Sequence, residues 1–421
     1  MTEKLLQYIW QYQIFNSIGL TTIDQQKITI LYPGSWNAHQ GPDFMMSRIL
    51  INDREWIGNT ELHVKTSDWL LHQHDKDSNY KNVVLHVVWR HDKDQPNAIP
   101  IVELEPRVPV MLLDRYQEWS LNKSFISCAG SIQIVDQKII QPYLSWLLSQ
   151  RIHQKCKSVQ DLVDSLAGDW EEAFWRQLAR GFGHKVNADS FERIAQSVPF
   201  KQLYRHAQSV FQLEAILFGQ AGLVYASIPD EYGKALYEEF QFLRNKFRLK
   251  KSVFPVYFLR MRPINFPTIR LAQLAALIHQ VPDLFRCIRE CPDLTELKKL
   301  LRVKAAGYWE DHYRFGEPSI RLDKTTADGL INKLIINTIL PFLRAYHTKR
   351  GDTGKIELLD RWPSEMKSEY NSIVSGFTSL GIQPRNMGES QGLLELKSAY
   401  CDQLKCLDCA MGRFILRRSS S

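Results

Sequence analysis

The chain has 421 residues, of which 44% are hydrophobic and 24% charged, and this globular composition excludes a largely disordered protein. Its formal net charge of +7 permits an anionic partner such as nucleic acid without requiring one. There is no apolar run of the ~18–20 residues that span a bilayer, no signal-peptide pattern at the N-terminus, and an odd number of cysteines, seven. We therefore expect a cytoplasmic protein with reduced cysteines and no membrane partner.

The first part of the chain, residues 1–125, is predicted to form a small α/β domain. Apolar residues at helical spacing indicate a first helix over residues 3–16. Strands are predicted at 27–32, 45–51, 56–65, 82–89 and 101–105. Thr66-Ser67-Asp68, a helix-capping sequence before Trp69-Leu70-Leu71, indicates a short helix between the third and fourth strands. The predicted order is thus helix, three strands, short helix, strand.

The rest of the chain is predicted to be mostly helical. The hydrophobic period becomes helical from about residue 137. Long helical patterns recur near 207–225, 233–249, 269–281, 293–306, 328–347 and 364–380. The sequence therefore predicts an α+β protein in which a small mixed sheet precedes a large helical domain, residues 126–421, with a cysteine cluster at its end.

Histidines and acidic residues crowd into the predicted sheet, where six of the twelve histidines fall within residues 39–91. Glu61, His63 and Lys65 alternate along one strand and so share a face at intervals of about 6.6 Å. Asp43, at the start of the preceding strand, could reach the same surface. Carboxylates from two neighbouring strands suit Mg²⁺ or Mn²⁺, and a basic residue two places on can orient or deprotonate the attacking water.

The element order, with Pro42-Asp43 on the second strand and Glu61-Leu62-His63 on the third, resembles the restriction-endonuclease-like nuclease superfamily. The signature of that superfamily is Pro-Asp, a spacer, then Asp/Glu-x-Lys. The resemblance implies that Asp43 and Glu61 bind the metal, with the backbone carbonyl of Leu62 as a further ligand.

The sequence departs from this signature at its last position, because His63 stands where the superfamily usually has Lys. Either His63 orients or deprotonates the attacking water, or Lys65, on the same face, has taken over that role. The resemblance implies a divalent-metal-dependent nuclease that acts on DNA or RNA. The alternative is a non-catalytic nucleic-acid-binding or adaptor protein that kept the nuclease-like fold and lost a working base.

A narrower resemblance covers nearly all of the chain. The motifs that carry it are Gly41-Pro-Asp-Phe44, Glu61-Leu-His63 to Ser67-Asp-Trp69, His72-Gln-His74, Val84-Leu-His-Val-Val88, Phe218-Gly-Gln-Ala-Gly222, Arg260-Met-Arg-Pro263, Asn265-Phe-Pro267 and the closing cysteines. They look like those of an uncharacterised bacterial family that is catalogued only as a domain of unknown function.

The histidines allow a second interpretation of the same region. His72-x-His74-x-x-Asp77, together with His63, could ligate Zn²⁺ or Mn²⁺ in a hydrolase of another substrate. The alternative is that these histidines only cap a short helix and bridge it to the sheet.

Two further groups of residues are candidates for binding. Arg260, Arg262 and Arg270 are interleaved with aromatic residues, a combination that suits phosphate contacts and base stacking, or else a structural loop.

Cys401-x4-Cys406-x2-Cys409 could bind Zn²⁺ or an Fe–S cluster, with Cys128 as the candidate fourth ligand. Alternatively, these cysteines are reduced and pack as small hydrophobic residues.

Overall fold

The computed structural model describes residues 1–37, 40–94, 99–122, 124–250, 254–281 and 283–418. His39, one of the six crowded histidines, lies outside the described residues. Two compact units are present: the first comprises residues 1–145, 370–383 and 392–421, and the second comprises residues 146–369 and 384–391. The domain boundary at residue 125 stays a prediction.

The first unit contains a mixed, curled sheet of six strands, and the predicted α+β class is confirmed. The strands are β1 (Ile28–Tyr32), β2 (Ser35–Trp36), β3 (Phe44–Ile51), β4 (Arg54–Lys65), β5 (Val83–Arg90) and β6 (Ile101–Glu103). Their order is β1-β3-β4-β5-β6, with β2 also paired to β3. The pairs β1–β3 and β3–β4 are antiparallel, whereas β4–β5 and β5–β6 are parallel.

A two-residue turn connects β3 to β4. Asn52 and Asp53 both have positive φ, 48° and 64°, which is the conformation that a type I′ hairpin turn needs and that Asn and Asp tolerate best. The register shifts between Phe44 and Ser47, where Met46 also has a positive φ of 57°. This β-bulge lies directly after Asp43, and bulges commonly re-aim side chains beside functional sites.

Helix α1 (Glu3–Gln11) packs its apolar face against β4. Its first turn is capped by the Thr2 side chain, which accepts a hydrogen bond from the backbone N–H of Leu5. Leu6, Ile9 and Trp10 are completely buried. The helix ends earlier than the predicted residue 16. A second, short helix, α2 (Asp68–Leu71), connects β4 to β5.

Most of the remaining chain is helical, as predicted. The helices are α3 (Val110–Leu121), α4 (Gln137–Ser165), α5 (Trp170–Phe182), α6 (His184–Ser197), α7 (Phe200–Tyr204), α8 (Val210–Gln220), α9 (Glu231–Phe247), α10 (Pro267–Gln280), α11 (Leu284–Arg289), α12 (Leu294–Leu300), α13 (Asp328–Leu334), α14 (Leu340–Arg350), α15 (Thr353–Glu365), α16 (Ser372–Ser379), α17 (Met387–Glu395) and α18 (Ala410–Arg418). A small hairpin is formed by β7 (His312–Arg314) and β8 (Glu317–Pro318). In the described part of the chain, no helix has the length and apolar character that a membrane crossing requires.

The helical pattern predicted over 364–380 corresponds to two helices rather than one. Helix α15 ends at Glu365 and α16 begins at Ser372. The Asn371 side chain accepts hydrogen bonds from the N–H groups of Ile373 and Val374, so it caps a new helix.

A buried carboxyl group lies in the core of the second unit. Glu214 on α8 is completely buried. It accepts hydrogen bonds from the Tyr232 hydroxyl at 2.6 Å and from Nε1 of Trp309 at 3.1 Å. These bonds satisfy the carboxyl group within the fold.

Candidate metal centre

The two-residue period of β4 directs Glu61 and His63 to the same side of the sheet. Both side chains are buried, with 5% and 1% of their surface exposed. Oε1 of Glu61 lies 3.7 Å from Nε2 of His63. The polar face predicted for this strand is therefore present, and it lines an interior site rather than open solvent.

The end of α2 brings two more histidines to this site. The N–H of His74 donates to the carbonyl of Trp69, and the N–H of Gln73 donates to the carbonyl of Leu70. Gln73 itself has a left-handed φ of 58°. These features form a Schellman motif, in which the chain reverses immediately after the helix. His72 is the C-cap and His74 lies two residues further on, so the motif turns both towards β4.

The three imidazoles present one nitrogen each, and these nitrogens lie within 4.8 Å of one another. Nε2 of His63 is 3.2 Å from Nδ1 of His72, and Nε2 of His74 is 3.5 Å from Oε1 of Glu61. Ligand atoms about 2.1 Å from a tetrahedral ion are about 3.4 Å apart. These two distances, and the 3.7 Å between Oε1 of Glu61 and Nε2 of His63, therefore match those between atoms coordinating one ion.

Nε2 of His74 gives a second indication. This atom is buried and, among the described residues, has no hydrogen-bond partner. A buried polar nitrogen without a hydrogen bond is costly, and coordination to an ion would satisfy it.

His86 on β5 fixes the orientation of His63. The parallel register pairs Glu61 with His86, and Nε2 of His86 lies 2.9 Å from Nδ1 of His63. When His63 donates from Nδ1, its Nε2 keeps a lone pair directed at the cluster. Metal-ligating histidines are commonly oriented by such a contact at the other ring nitrogen.

Asp43 adjoins the cluster through the backbone. Its N–H donates to Oε2 of Glu61 at 2.9 Å, which leaves Oε1 directed at the histidines. The Asp43 carboxylate in turn accepts hydrogen bonds from Nε2 of Gln7 at 2.8 Å and from the N–H of Leu62 at 3.1 Å. The two predicted carboxylates are thus brought together and held in fixed positions.

Burial determines the electrostatics of the site. It raises the pKa of Asp43, with the charge of Glu3 as a further cause. Burial also raises the pKa of Glu61, to which the Asp43 charge adds. Burial, followed by the neighbouring imidazoles, lowers the pKa of His63 to about 2, and burial lowers the pKa of His74. His63 is therefore neutral, the form that binds metal. Asp43 and Glu61 resist ionising together in this buried site, and a bound cation would offset that cost.

Aromatic side chains surround the cluster on one side, and the other side is open. Tyr80 stacks on His74 with ring centroids 3.8 Å apart, and Trp69 contacts the rings of His63 and His86. His72, by contrast, is exposed. A small polar group could therefore approach the cluster from the side of His72.

Other candidates from the same region lie outside the cluster. Lys65 is exposed at the end of β4, where its N–H donates to the Asp68 carboxylate. Asp77 caps the turn Ser78–Tyr80 by accepting a hydrogen bond from the N–H of Asn79.

The three predicted arginines of the second unit differ in exposure. Arg260 and Arg262 are exposed. Arg270 is only 5% exposed, and it donates to Gln273 at 2.7 Å and to Asn265 at 2.5 Å. Burial lowers the pKa of Arg270 to about 10. Its guanidinium group therefore faces the interior and supports the fold instead of a phosphate contact.

The predicted cysteine ligands all lie in the first unit. Cys128, Cys401, Cys406 and Cys409 are free thiols.

Two residues beside the candidate ligands had no role assigned from the sequence. His86 is the one polar residue in the apolar run of β5, and a buried imidazole in such a run needs a partner. This polar residue within an apolar strand is the sequence signal that could have identified His86. Gln7 reaches Asp43 from α1, and nothing in its local sequence indicates this contact.

The family model described as "Protein of unknown function (DUF2851)" matches residues 3–372, so the chain belongs to this family. The resemblance to an uncharacterised family is thereby confirmed. No curated protein and no solved structure matches the chain.

Proposed function

We propose that the protein is a metal-dependent hydrolase in which Glu61, His63, His72 and His74 bind one divalent transition-metal ion, Mn²⁺ or Zn²⁺. The observation that carries the proposal is the approach of three histidine nitrogens to within 4.8 Å of one another, with Oε1 of Glu61 3.5 Å from Nε2 of His74 and 3.7 Å from Nε2 of His63. Imidazole-rich sites favour Mn²⁺ or Zn²⁺ over Mg²⁺.

The ligand set suits catalysis. Three neutral imidazoles and one carboxylate leave a divalent ion with one net positive charge, which attracts an anionic substrate. An ion in this position would polarise a phosphoryl oxygen and lower the pKa of a water molecule. Water and substrate would reach an ion held by these residues from the exposed side next to His72.

Our proposed substrate is a phosphodiester bond of DNA or RNA. This rests on the resemblance of the Pro42-Asp43 and Glu61-Leu62-His63 patterns, in the order helix, three strands, short helix, strand, to the restriction-endonuclease-like nucleases. In this proposal Asp43 positions Glu61 through its backbone N–H, and its own carboxylate would accept a proton from the attacking water. His63, which replaces the usual Lys, becomes a ligand instead of the base.

The test measures cleavage of fluorescent single- and double-stranded DNA and RNA by metal-free protein to which Mn²⁺, Zn²⁺ or Mg²⁺ is added. We expect cleavage with Mn²⁺ or Zn²⁺ that EDTA abolishes. Glu61→Gln, His63→Ala and His74→Ala should each lower kcat/KM by orders of magnitude, whereas His153→Ala, which removes an exposed histidine on α4, should not.

Two outcomes would contradict the proposal. If the Glu61 and His63 variants cleave at the wild-type rate, the activity belongs to a contaminant or another site. If the wild-type protein binds Mn²⁺ or Zn²⁺ at this site and cleaves none of the substrates, the nuclease assignment is wrong and the non-catalytic alternative is favoured.

A further inference from the structure

Three cysteines near the C-terminus have the spacing of an iron–sulfur ligand set. Cys401, Cys406 and Cys409 follow the pattern Cys-x4-Cys-x2-Cys, which plant-type ferredoxins combine with a fourth cysteine elsewhere in the chain. Structural zinc sites more often combine two separate pairs of closely spaced ligands. The pattern therefore favours an iron–sulfur cluster, provided that the fold supplies a fourth thiol.

The fold supplies that thiol from Cys128. Helix α18 begins directly after Cys409 and packs against α3 and the turn Ile132–Ile134, the two elements that flank the loop carrying Cys128. Cys128 and Cys409 are buried, and the other two cysteines are half-buried. The start of α18 and the loop that carries Cys128, which are far apart in the sequence, thus lie beside the same two elements.

Cys406 contacts the loop that carries Cys128. The Cys406 thiol is hydrogen-bonded to the Ser127 hydroxyl, which belongs to the residue directly before Cys128. The segment that carries Cys401, Cys406 and Cys409 therefore meets the loop that carries the fourth thiol.

Cys409 is surrounded by hydrogen-bond donors. Its sulfur accepts hydrogen bonds from the N–H groups of Gly412 and Met411 in the first turn of α18 and from the Tyr143 hydroxyl. A helix N-terminus favours negative charge, and hydrogen bonds to sulfur tune iron–sulfur clusters. Gly412 also permits a close approach, because a Cβ there would lie 2.3 Å from the carbonyl oxygen of Cys406.

We propose that Cys128, Cys401, Cys406 and Cys409 bind an iron–sulfur cluster that ties α18 to the loop before the turn Ile132–Ile134. The proposal is independent of the metal centre formed by Glu61 and the histidines, since none of its four ligands belongs to that site.

The test uses the full-length protein, purified without oxygen and also reconstituted with ferrous iron and sulfide. Iron, acid-labile sulfide and zinc are measured per chain, together with the visible absorption and, after reduction, the electron paramagnetic resonance spectrum. We expect about two or about four iron atoms per chain with equal sulfide.

Single Cys→Ser substitutions assign the ligands. Cys128→Ser and Cys406→Ser should lose most of the iron and the visible absorption. Cys287→Ser, which alters a half-buried cysteine of the second unit, is the matched control and should retain both. Circular dichroism shows whether each variant is folded.

The wild-type metal content decides the question even if a variant fails to fold. Wild-type protein that holds zinc alone and takes up no iron and sulfide on reconstitution would overturn the cluster. A folded Cys128→Ser variant with the wild-type iron content and spectrum would overturn the four-cysteine assignment.

Discussion

The buried carboxyl group of Glu214 should make the second unit less stable as the pH rises. Burial raises its pKa to about 7 from an ordinary 4.5, although hydrogen bonds from Tyr232 and Trp309 act to lower it. The folded state therefore retains a proton that the unfolded state releases, and the free energy of unfolding falls between about pH 4.5 and 7. Each pH unit between the two pKa values is worth about 1.4 kcal/mol, so the decrease is about 3 kcal/mol, with no further decrease above about pH 7.

Urea unfolding of the wild type and of Glu214→Gln, measured from about pH 4.5 to about pH 8, tests this linkage. Gln cannot ionise, so the variant should gain up to about 3 kcal/mol relative to the wild type as the pH rises through the window. Glu238→Gln, on an exposed position of α9, controls for the loss of one carboxylate. Parallel stability curves for the wild type and Glu214→Gln would refute the reasoning, because Glu214 would then release its proton equally in both states.

Three further predictions concern the metal centre and the arginines. His86→Phe removes the contact that orients His63 and should weaken Mn²⁺ or Zn²⁺ binding about 10- to 100-fold in a competition titration with a chromophoric chelator; unchanged affinity would show that His86 does not orient the ligand. Gln73→Gly removes the backbone strain of a non-glycine residue in the left-handed conformation after α2 and should raise the free energy of unfolding by about 1 kcal/mol. A loss of stability would contradict the Schellman assignment. Arg262→Ala should lower the slope of log K for nucleic-acid binding against log salt concentration by about 0.7–0.9 without changing Tm. Arg270→Ala should instead lower Tm, because the loss of its buried hydrogen bonds costs about 1–3 kcal/mol. The opposite result for the two variants would show that Arg270 contacts phosphate and Arg262 supports the fold.

Local sequence patterns predict the strands and much of the site. The period of two along β4 is enough to place Glu61 and His63 on one face, and the mixed sheet followed by a helical region is confirmed. The same period places Lys65 on that face, yet the strand ends there and its side chain is exposed. A strand pattern gives the direction of a side chain and does not show whether another element covers it.

The remaining parts of the site depend on tertiary contacts. His72 and His74 reach the cluster because Gln73 adopts a left-handed conformation, which sequence rules associate mainly with Gly or Asn. His86 meets His63 only through the parallel pairing of β4 and β5. In the second unit, helical spacing could not distinguish the buried Arg270 from an exposed arginine, since the first turn of α10 is buried on all sides.

The X-ray absorption spectrum of the Mn²⁺-loaded protein, recorded at the manganese K edge, tests the metal centre most directly. Manganese favours nitrogen and oxygen ligands over thiolates, so the signal should report the site of Glu61 and the histidines rather than the cysteines. We predict a first shell of nitrogen and oxygen atoms at about 2.0–2.2 Å, with the outer-shell scattering of three imidazole rings that His63→Ala reduces. A first shell of oxygen atoms without imidazole scattering would contradict the proposed ligands.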